Sequence, residues 1–382
     1  MTAVRRLCAL IVSIVAFATI APAKSIAPPP PEGDKPLIQI AILLDTSGSM
    51  SGLINQARTQ LWTVVNEFAR SKQSGQTPML QVALYEYGNS NLAASEGYIR
   101  MILPLTDDLD AVSEKLFALT TNGGDEYCGH VIQSATKGLA WSASPKVYRA
   151  IFIAGNEPFT QGTVDYRQSC AEAIAKGIIV NTIHCGPQAV GDSSGWADGA
   201  KLADGRAMNI DQDKAVVAIA APQDEAILKL SAELNKTYVA YGAEGRDRAV
   251  RQEAQDALAA AAPEAGSGVQ RSVSKAQSVY RNAGWDLVDA SKGKEFKIES
   301  VDAKDLPENM RSMTPEQRKA YVEEQAKKRS EVQAKINDLN QQREKFVAAK
   351  QKEAAGADTL DAAMLTAVRE QLGKKEFEVE RK

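Results

Sequence analysis

Two kinds of apolar pattern alternate along this chain. The run 37–44 is apolar on both faces, and directly after it Ile54, Ala57, Leu61, Val65 and Phe68 recur at helical spacing. Apolar runs at 79–87 and 98–103 read as two further strands, parted by the breakers Gly88 and Asn89. A helical pattern over 108–119 leads into a Gly-rich loop and a second helix over 129–141. The runs 148–154 and 178–184 predict buried strands. Between them a helix over 165–176 opens with Asp165 and Gln168 spaced as a capping box. A short strand near 206–210, a helix over 222–234 and a strand over 237–241 close the series. Strands apolar on both faces that alternate with amphipathic helices predict a mostly parallel sheet covered on both sides. The fold class expected for 37–262 is therefore doubly wound α/β. Ligands of such sheets bind beyond the carboxyl ends of the strands, where the strand order reverses.

Past that domain the pattern changes. The stretch 259–268 is rich in Ala, Gly and Pro, and 263–312 reads as linker and irregular chain. The region 313–382 is charged and predicts a C-terminal α-helical region. Thr314, Pro315 and Gln317 supply an N-cap, a proline at the first helical position and a capping-box glutamine. The helix they start is expected to run to about residue 352, and a shorter one over 358–372 ends at Gly373. Val332, Ile336, Leu339, Arg343 and Phe346 form a heptad-like stripe on the long helix. An antiparallel helical hairpin with solvated outer faces is the simpler reading. A coiled coil that self-associates or binds a partner is the alternative.

The first residues speak to location. Arg5 and Arg6 precede an apolar run over 7–20, and Ala21-Pro22-Ala23 follows as an A-x-A cleavage site. Residues 1–23 are expected to be a signal peptide, and 24–36, with Pro28 to Pro31, a stiff Pro-rich linker. The protein is then exported to the periplasm or the extracellular space, with no transmembrane span after cleavage. The 382 residues carry 45 basic and 48 acidic side chains, a net charge of −3. So even a balance offers no extended basic face and argues against nucleic acid as a partner. Two histidines leave little room for histidine acid–base catalysis, and neither a G-x-x-x-x-G-K loop nor an H-E-x-x-H site occurs.

The chemistry gathers at the end of the first strand, in Asp45-Thr46-Ser47-Gly48-Ser49. One carboxylate and two hydroxyls at i, i+2 and i+4 suit a hard divalent cation, which takes oxygen ligands and keeps an open position for another. The plainer reading is a polar turn whose serines cap the next helix. Asp45, Ser47 and Ser49 match the D-x-S-x-S signature of the metal-ion-dependent adhesion site, and over residues 37–242 the chain resembles a von Willebrand factor type A domain. That resemblance implies a Mg²⁺ or Mn²⁺ ion and a protein ligand that presents a carboxylate to it.

Two later positions depart from the family pattern. Where the family places a threonine just after a Gly-Gly pair, Gly123-Gly124 is followed by Asp125, while Thr120 and Thr121 precede it. Asp125, or Thr121 with an offset loop, is expected to fill that role. Where the family carries an aspartate at the end of the next strand, this chain has Gly155, with Asn156 and Glu157 beside it. Asn156 is the candidate ligand there.

Export leaves three cysteines in an oxidising compartment, Cys128, Cys170 and Cys185. One disulfide plus a buried thiol is expected, with Cys170–Cys185 the first pairing and Cys128–Cys170 the second. A soft-metal site, or a Cys128 nucleophile served by His130, is the less favoured use. The leading expectation is an exported, non-catalytic binding module. The alternatives are an ion-free structural envelope protein acting through its C-terminal helices, and a metal- or thiol-dependent enzyme.

Overall fold

The computed structural model describes residues 35–50, 54–210, 219–261, 266–353 and 360–379. The expected signal peptide, and the linker up to residue 34, lie outside the described residues. Six strands make the central sheet: β1 (Leu37–Asp45), β3 (Met79–Tyr87), β4 (Ile99–Thr106), β5 (Tyr148–Gly155), β6 (Ile179–Cys185) and β7 (Ala207–Ile210). Their order is β4-β3-β1-β5-β6-β7. All pair in parallel except β4, which runs antiparallel to β3. Successive strands go to one side of β1 and then to the other, so the order reverses between β1 and β5. Crevices open at such a reversal.

Both faces are covered, which is why the strands are apolar throughout. One face meets α1 (Ile54–Ala69) and α2 (Leu109–Phe117), through Trp62, Val65, Phe68, Val112 and Leu116. The other meets α3 (Cys128–Gly138), α4 (Tyr166–Ala175) and α6 (Trp196–Leu202), through Val131, Ile132, Ala173 and Trp196. A short helix, α5 (Gln188–Ser193), precedes α6. Local chemistry starts these helices where the pattern places them: Asp108 accepts from the Ala111 amide at 2.9 Å and Asp165 from the Arg167 amide at 2.9 Å. The capping box at Asp165 is half made, because Gln168 turns along the helix and donates to Glu172 instead.

Beyond the sheet come α7 (Asp224–Asn235), α8 (Gly245–Ala260), α9 (Ser267–Lys275), α10 (Leu287–Ala290), the 39-residue α11 (Pro315–Glu353) and α12 (Leu360–Gly373). The strand expected over 237–241 is not formed; that segment makes one isolated bridge, Ala240 to Asp286. Nor is 263–312 only linker. It supplies α9, whose Arg271 and Lys275 are buried and pair with Asp110 and Asp256.

The start of α11 does form its capping box, Thr314 and Gln317 each accepting from the other's amide. Its heptad-like stripe is not a free seam, however. Val332 and Ile336 pack on Ile227, Leu234, Val269 and Val273 of α7 and α9, with Leu339 beside them. Arg343 pairs with Asp224. The two C-terminal helices therefore serve different neighbours rather than forming a simple hairpin. Met364, Val368 and Leu372 of α12 join the core on the α1 face of the sheet. Arg369 clamps the buried Glu67 of α1. The chain then returns as β8 (Phe377–Val379), antiparallel to β2 (Ser71–Gln73).

Candidate metal centre

Three loops meet at the carboxyl end of β1, beside the reversal point. Asp45 ends the strand, fully buried, and its Oδ1 accepts from the Ser47 amide at 2.7 Å. That bond folds the turn so that the two serine hydroxyls face each other, 2.8 Å apart. Ser49 reaches across to the end of β5, where its Oγ donates to Asn156 Oδ1 at 3.1 Å. Four of the expected ligands, Asp45, Ser47, Ser49 and Asn156, are thus brought together.

The second loop arrives with a one-residue offset. Ser90 donates its amide to Gly123 O at 2.6 Å and Asn122 donates to Thr46 O at 3.0 Å, which draws the loop tightly against β1 and β3. Gly124 permits this approach, since a Cβ there would lie 2.3 Å from Gly88 O. The consequence is that Asp125 is exposed, with its Oδ2 taking a 3.4 Å bond from the Tyr127 hydroxyl. It does not enter the site. Thr121 lies half-buried on the same loop. The carboxylate that turns inward is Glu126, only 4% exposed. The same point in space, a Cβ built on Gly88, would be 2.7 Å from Glu126 Cγ and 2.8 Å from Asp45 Oδ1. Sequence reasoning passed over Glu126; its signal was a second acid directly after Asp125, available if the loop shifts by one.

The third loop has no room for an aspartate at 155. A Cβ on Gly155 would meet the Tyr87 hydroxyl at 2.4 Å and the Trp196 ring at 3.1 Å. That hydroxyl is held in place by donating to Ala154 O at 3.0 Å. The carboxylate lost at Gly155 is met by one gained at Glu126.

Asp45 Oδ2 and Glu126 Oε2 are both buried and have no hydrogen-bond partner. Two adjoining carboxylates are acceptors only, so they need a proton or a cation between them. Burial pushes Asp45 up to about 6 against the lowering pull of its hydrogen bonds with Ser47 and Glu126, and burial followed by the Asp45 charge pushes Glu126 up to about 9. Glu157 adds to the negative field on both. This donor set fits a hard divalent ion: carboxylate oxygens without partners, two hydroxyls and an amide oxygen. Among the described residues no group of three or more His, Cys, Asp or Glu is arranged as a metal site. A centre here would lean on Ser47, Ser49 and Asn156.

The cysteines do something other than expected. All three are free and buried. Cys170 and Cys128 belong to the α3–α4 face of the sheet and Cys185 to the α1 face, so the sheet stands between the first proposed pair. Cys128 lies instead 3.7 Å from the Tyr87 hydroxyl. Burial pushes its thiol well above the ordinary range, the reverse of an activated nucleophile. His184 is a buried strand residue bonded to Asn209 Oδ1 at 2.9 Å. The string Gly191-Asp192-Ser193-Ser194-Gly195 spells G-x-S-x-G, yet Ser193 lies within α5 and its hydroxyl donates to Ala189 O at 2.9 Å. It is not at the strand-to-helix turn that a nucleophile elbow requires.

Residues 39–204 match the von Willebrand factor type A domain family. None of the curated proteins matches the chain. Solved structures resemble just under half of the chain. The conserved hypothetical protein BatB from Bacteroides thetaiotaomicron is 17% identical with a TM-score of 0.35, the match covering 46% of this chain and 90% of that one. The SpRpn10 VWA domain is 16% identical with a TM-score of 0.36, covering 46% and 89%. Proximal thread matrix protein 1 from the mussel byssus, with a zinc-occupied MIDAS motif, is 12% identical with a TM-score of 0.35, covering 47% and 43%.

Proposed function

We propose that the von Willebrand factor type A segment, residues 39–204, is a non-catalytic protein-binding module that captures its partner through a divalent cation. Asp45, Ser47, Ser49, Asn156 and Glu126 would hold the ion, Mg²⁺ or Mn²⁺ by the hardness of the donors. When bound, the ion supplies an open position for an oxygen of the partner, a carboxylate by charge. The observation that carries this reading is the pair of buried carboxylate oxygens, Asp45 Oδ2 and Glu126 Oε2, that lack any partner, on the loops that also bring the buried Ser47 and the exposed Ser49 hydroxyls together. The chain's own part is positioning: the Ser47 amide fixes Asp45, and Asn156 fixes Ser49.

The module works outside the cytoplasm, released by cleavage behind Ala23. No helix of the described residues is long and apolar enough to cross a membrane. The C-terminal helices brace the module; the apolar stripe of α11 is already buried against α7 and α9, and that of α12 in the core on the α1 face.

Calorimetric titration of Mg²⁺ and Mn²⁺ into EDTA-stripped protein, with Asp45→Ala as control, tests the centre. Binding that vanishes in the variant is expected. A wild-type protein that takes up neither ion would overturn the proposal.

A further inference from the structure

At the opposite pole of the sheet, where β5 begins and α3 and α4 end, an open groove of about 620 Å³ runs between the two helix ends. Its lining holds four cations, Lys137, Arg149, Lys176 and Lys375, and no carboxylate. Lys137 is balanced by Glu172. The helix ends contribute about half a negative charge each, which offsets only part of the rest.

Arg149 is the unusual member. It is 7% exposed and makes no ion pair among the described residues. One guanidinium nitrogen donates to Ser142 O, but its buried Nε–H has no partner. Burial without a counter-charge lowers its pKa. The backbone is shaped to admit it: Gly177 has φ +69°, and a Cβ there would lie 2.8 Å from Arg149 Nη2. In the same lining the Thr136 hydroxyl is buried and also without a partner. Lys176 donates to Thr136 O at 3.1 Å, and Lys375, from the segment after α12, donates to Pro145 O at 3.1 Å. Trp141 anchors its Nε1 on Ala135 O at 3.0 Å and forms part of the wall. An uncompensated buried cation is costly unless something of opposite charge meets it.

We propose that this groove is a second binding site, for an organic oxyanion: a carboxylate or phosphate carried on a flat apolar body. The oxyanion takes the free donors of Arg149 and Thr136, with Lys176 and Lys375 adding charge, while the body lies against Trp141. The site is separate from the cation centre and needs the C-terminal segment, because Lys375 comes from it.

The test is titration of the full chain with phenyl phosphate and with benzoate, by calorimetry and by fluorescence. The fluorescence change should disappear in Trp141→Phe. Binding should weaken on adding NaCl. Arg149→Gln should raise Kd by about tenfold or more, the worth of a hydrogen bond to a charged group. Lys375→Gln, a change at a half-exposed position, should raise it about threefold through lost charge. Binding of one probe alone identifies the headgroup, and binding of both leaves the proposal standing with a tolerant site. No binding of either probe at tens of millimolar overturns it, as does binding that Lys375→Gln leaves unchanged. The second variant decides even if Arg149→Gln fails to fold.

Discussion

The hydroxyl of Tyr87 occupies the space that a side chain at Gly155 would need, 2.4 Å from where its Cβ would stand. An alanine at 155 must therefore push the phenol off Ala154 O, to which it donates. Overpacking of this kind costs about 1–3 kcal/mol. Gly155→Ala should lose about that much in urea unfolding, and less in a Tyr87→Phe background, where the obstructing oxygen is gone. Equal losses in the two backgrounds would show that Tyr87 is not the obstacle. The same crowding means that Gly155→Asp will not restore a ligand; it should destabilise the fold without tightening cation binding.

The stripped protein should lose stability as pH rises. Asp45 and Glu126 hold their protons more tightly folded, at about 6 and about 9, than at their ordinary values of 3.8 and 4.5. For carboxyls raised in this direction, the contribution is complete below the unfolded values and is lost as pH climbs through the folded ones. A bound cation replaces the proton, so the Tm gain from Mg²⁺ should grow from about pH 5 to about pH 9. Uptake should also release a proton near neutrality. Thermal melts in EDTA and in Mg²⁺ across that range measure both. A profile in EDTA that rises or stays flat would contradict the shared-proton arrangement.

The fold was legible because the strands are buried on both faces and sheet-covering helices such as α2 and α3 show an apolar stripe; the run 79–87 coincides with β3 residue for residue. The first loop of the site was legible for a local reason. Asp45, Ser47 and Ser49 lie on one short turn, and their relation is set by a backbone bond between near neighbours. What escaped was set at a distance. Whether Asp125 or Glu126 points inward depends on how tightly Gly123 and Gly124 draw the loop onto Gly88 and Ser90, partners more than thirty residues away. The helix α9 was missed because its buried face interrupts Val269 and Val273 with Arg271, Ser272, Ser274 and Lys275, so no continuous apolar stripe marks it. The first expected disulfide, Cys170–Cys185, failed because chain position does not say which face of the sheet a cysteine serves.

The loop offset makes its own prediction. Glu126→Gln removes the inward carboxylate and should weaken Mg²⁺ binding by about tenfold or more, in keeping with a charged hydrogen-bonding or ligating group. Asp125→Asn, at an exposed position bonded to Tyr127, should change it by less than about twofold. The reverse ranking in calorimetric titration would mean that the loop rearranges around the ion and that Asp125 is the ligand after all.

A last expectation concerns how the added helices are fastened. Arg271, 1% exposed, donates to Asp110 on α2 at 2.8 Å and to Asp256 on α8 at 2.7 Å. Lys275, fully buried, shares Asp256. The network spans the matched segment and the helices beyond it, since Asp110 lies within 39–204 and the others do not. Breaking a buried pair by removing one partner leaves a charge without water or counter-charge, at a cost of about 3–5 kcal/mol. Arg271→Met strands Asp110, which keeps the Tyr280 hydroxyl but no cation, while Asp256 retains Lys275, and the loss should fall in that range by chemical denaturation. Replacing Asp110 with Asn at the same time takes away the stranded charge, so the double variant should recover part of the loss. The cation centre, built by β1, β5 and the loop before α3, stands apart from this network. Arg271→Met should therefore leave Mg²⁺ affinity unchanged at temperatures where the variant is folded. A loss of affinity that tracks the loss of stability would mean that the helical layer and the centre are one cooperative unit, with α1, which follows Asp45 in the chain and touches α9 through Asn66 and Gln270, as the link.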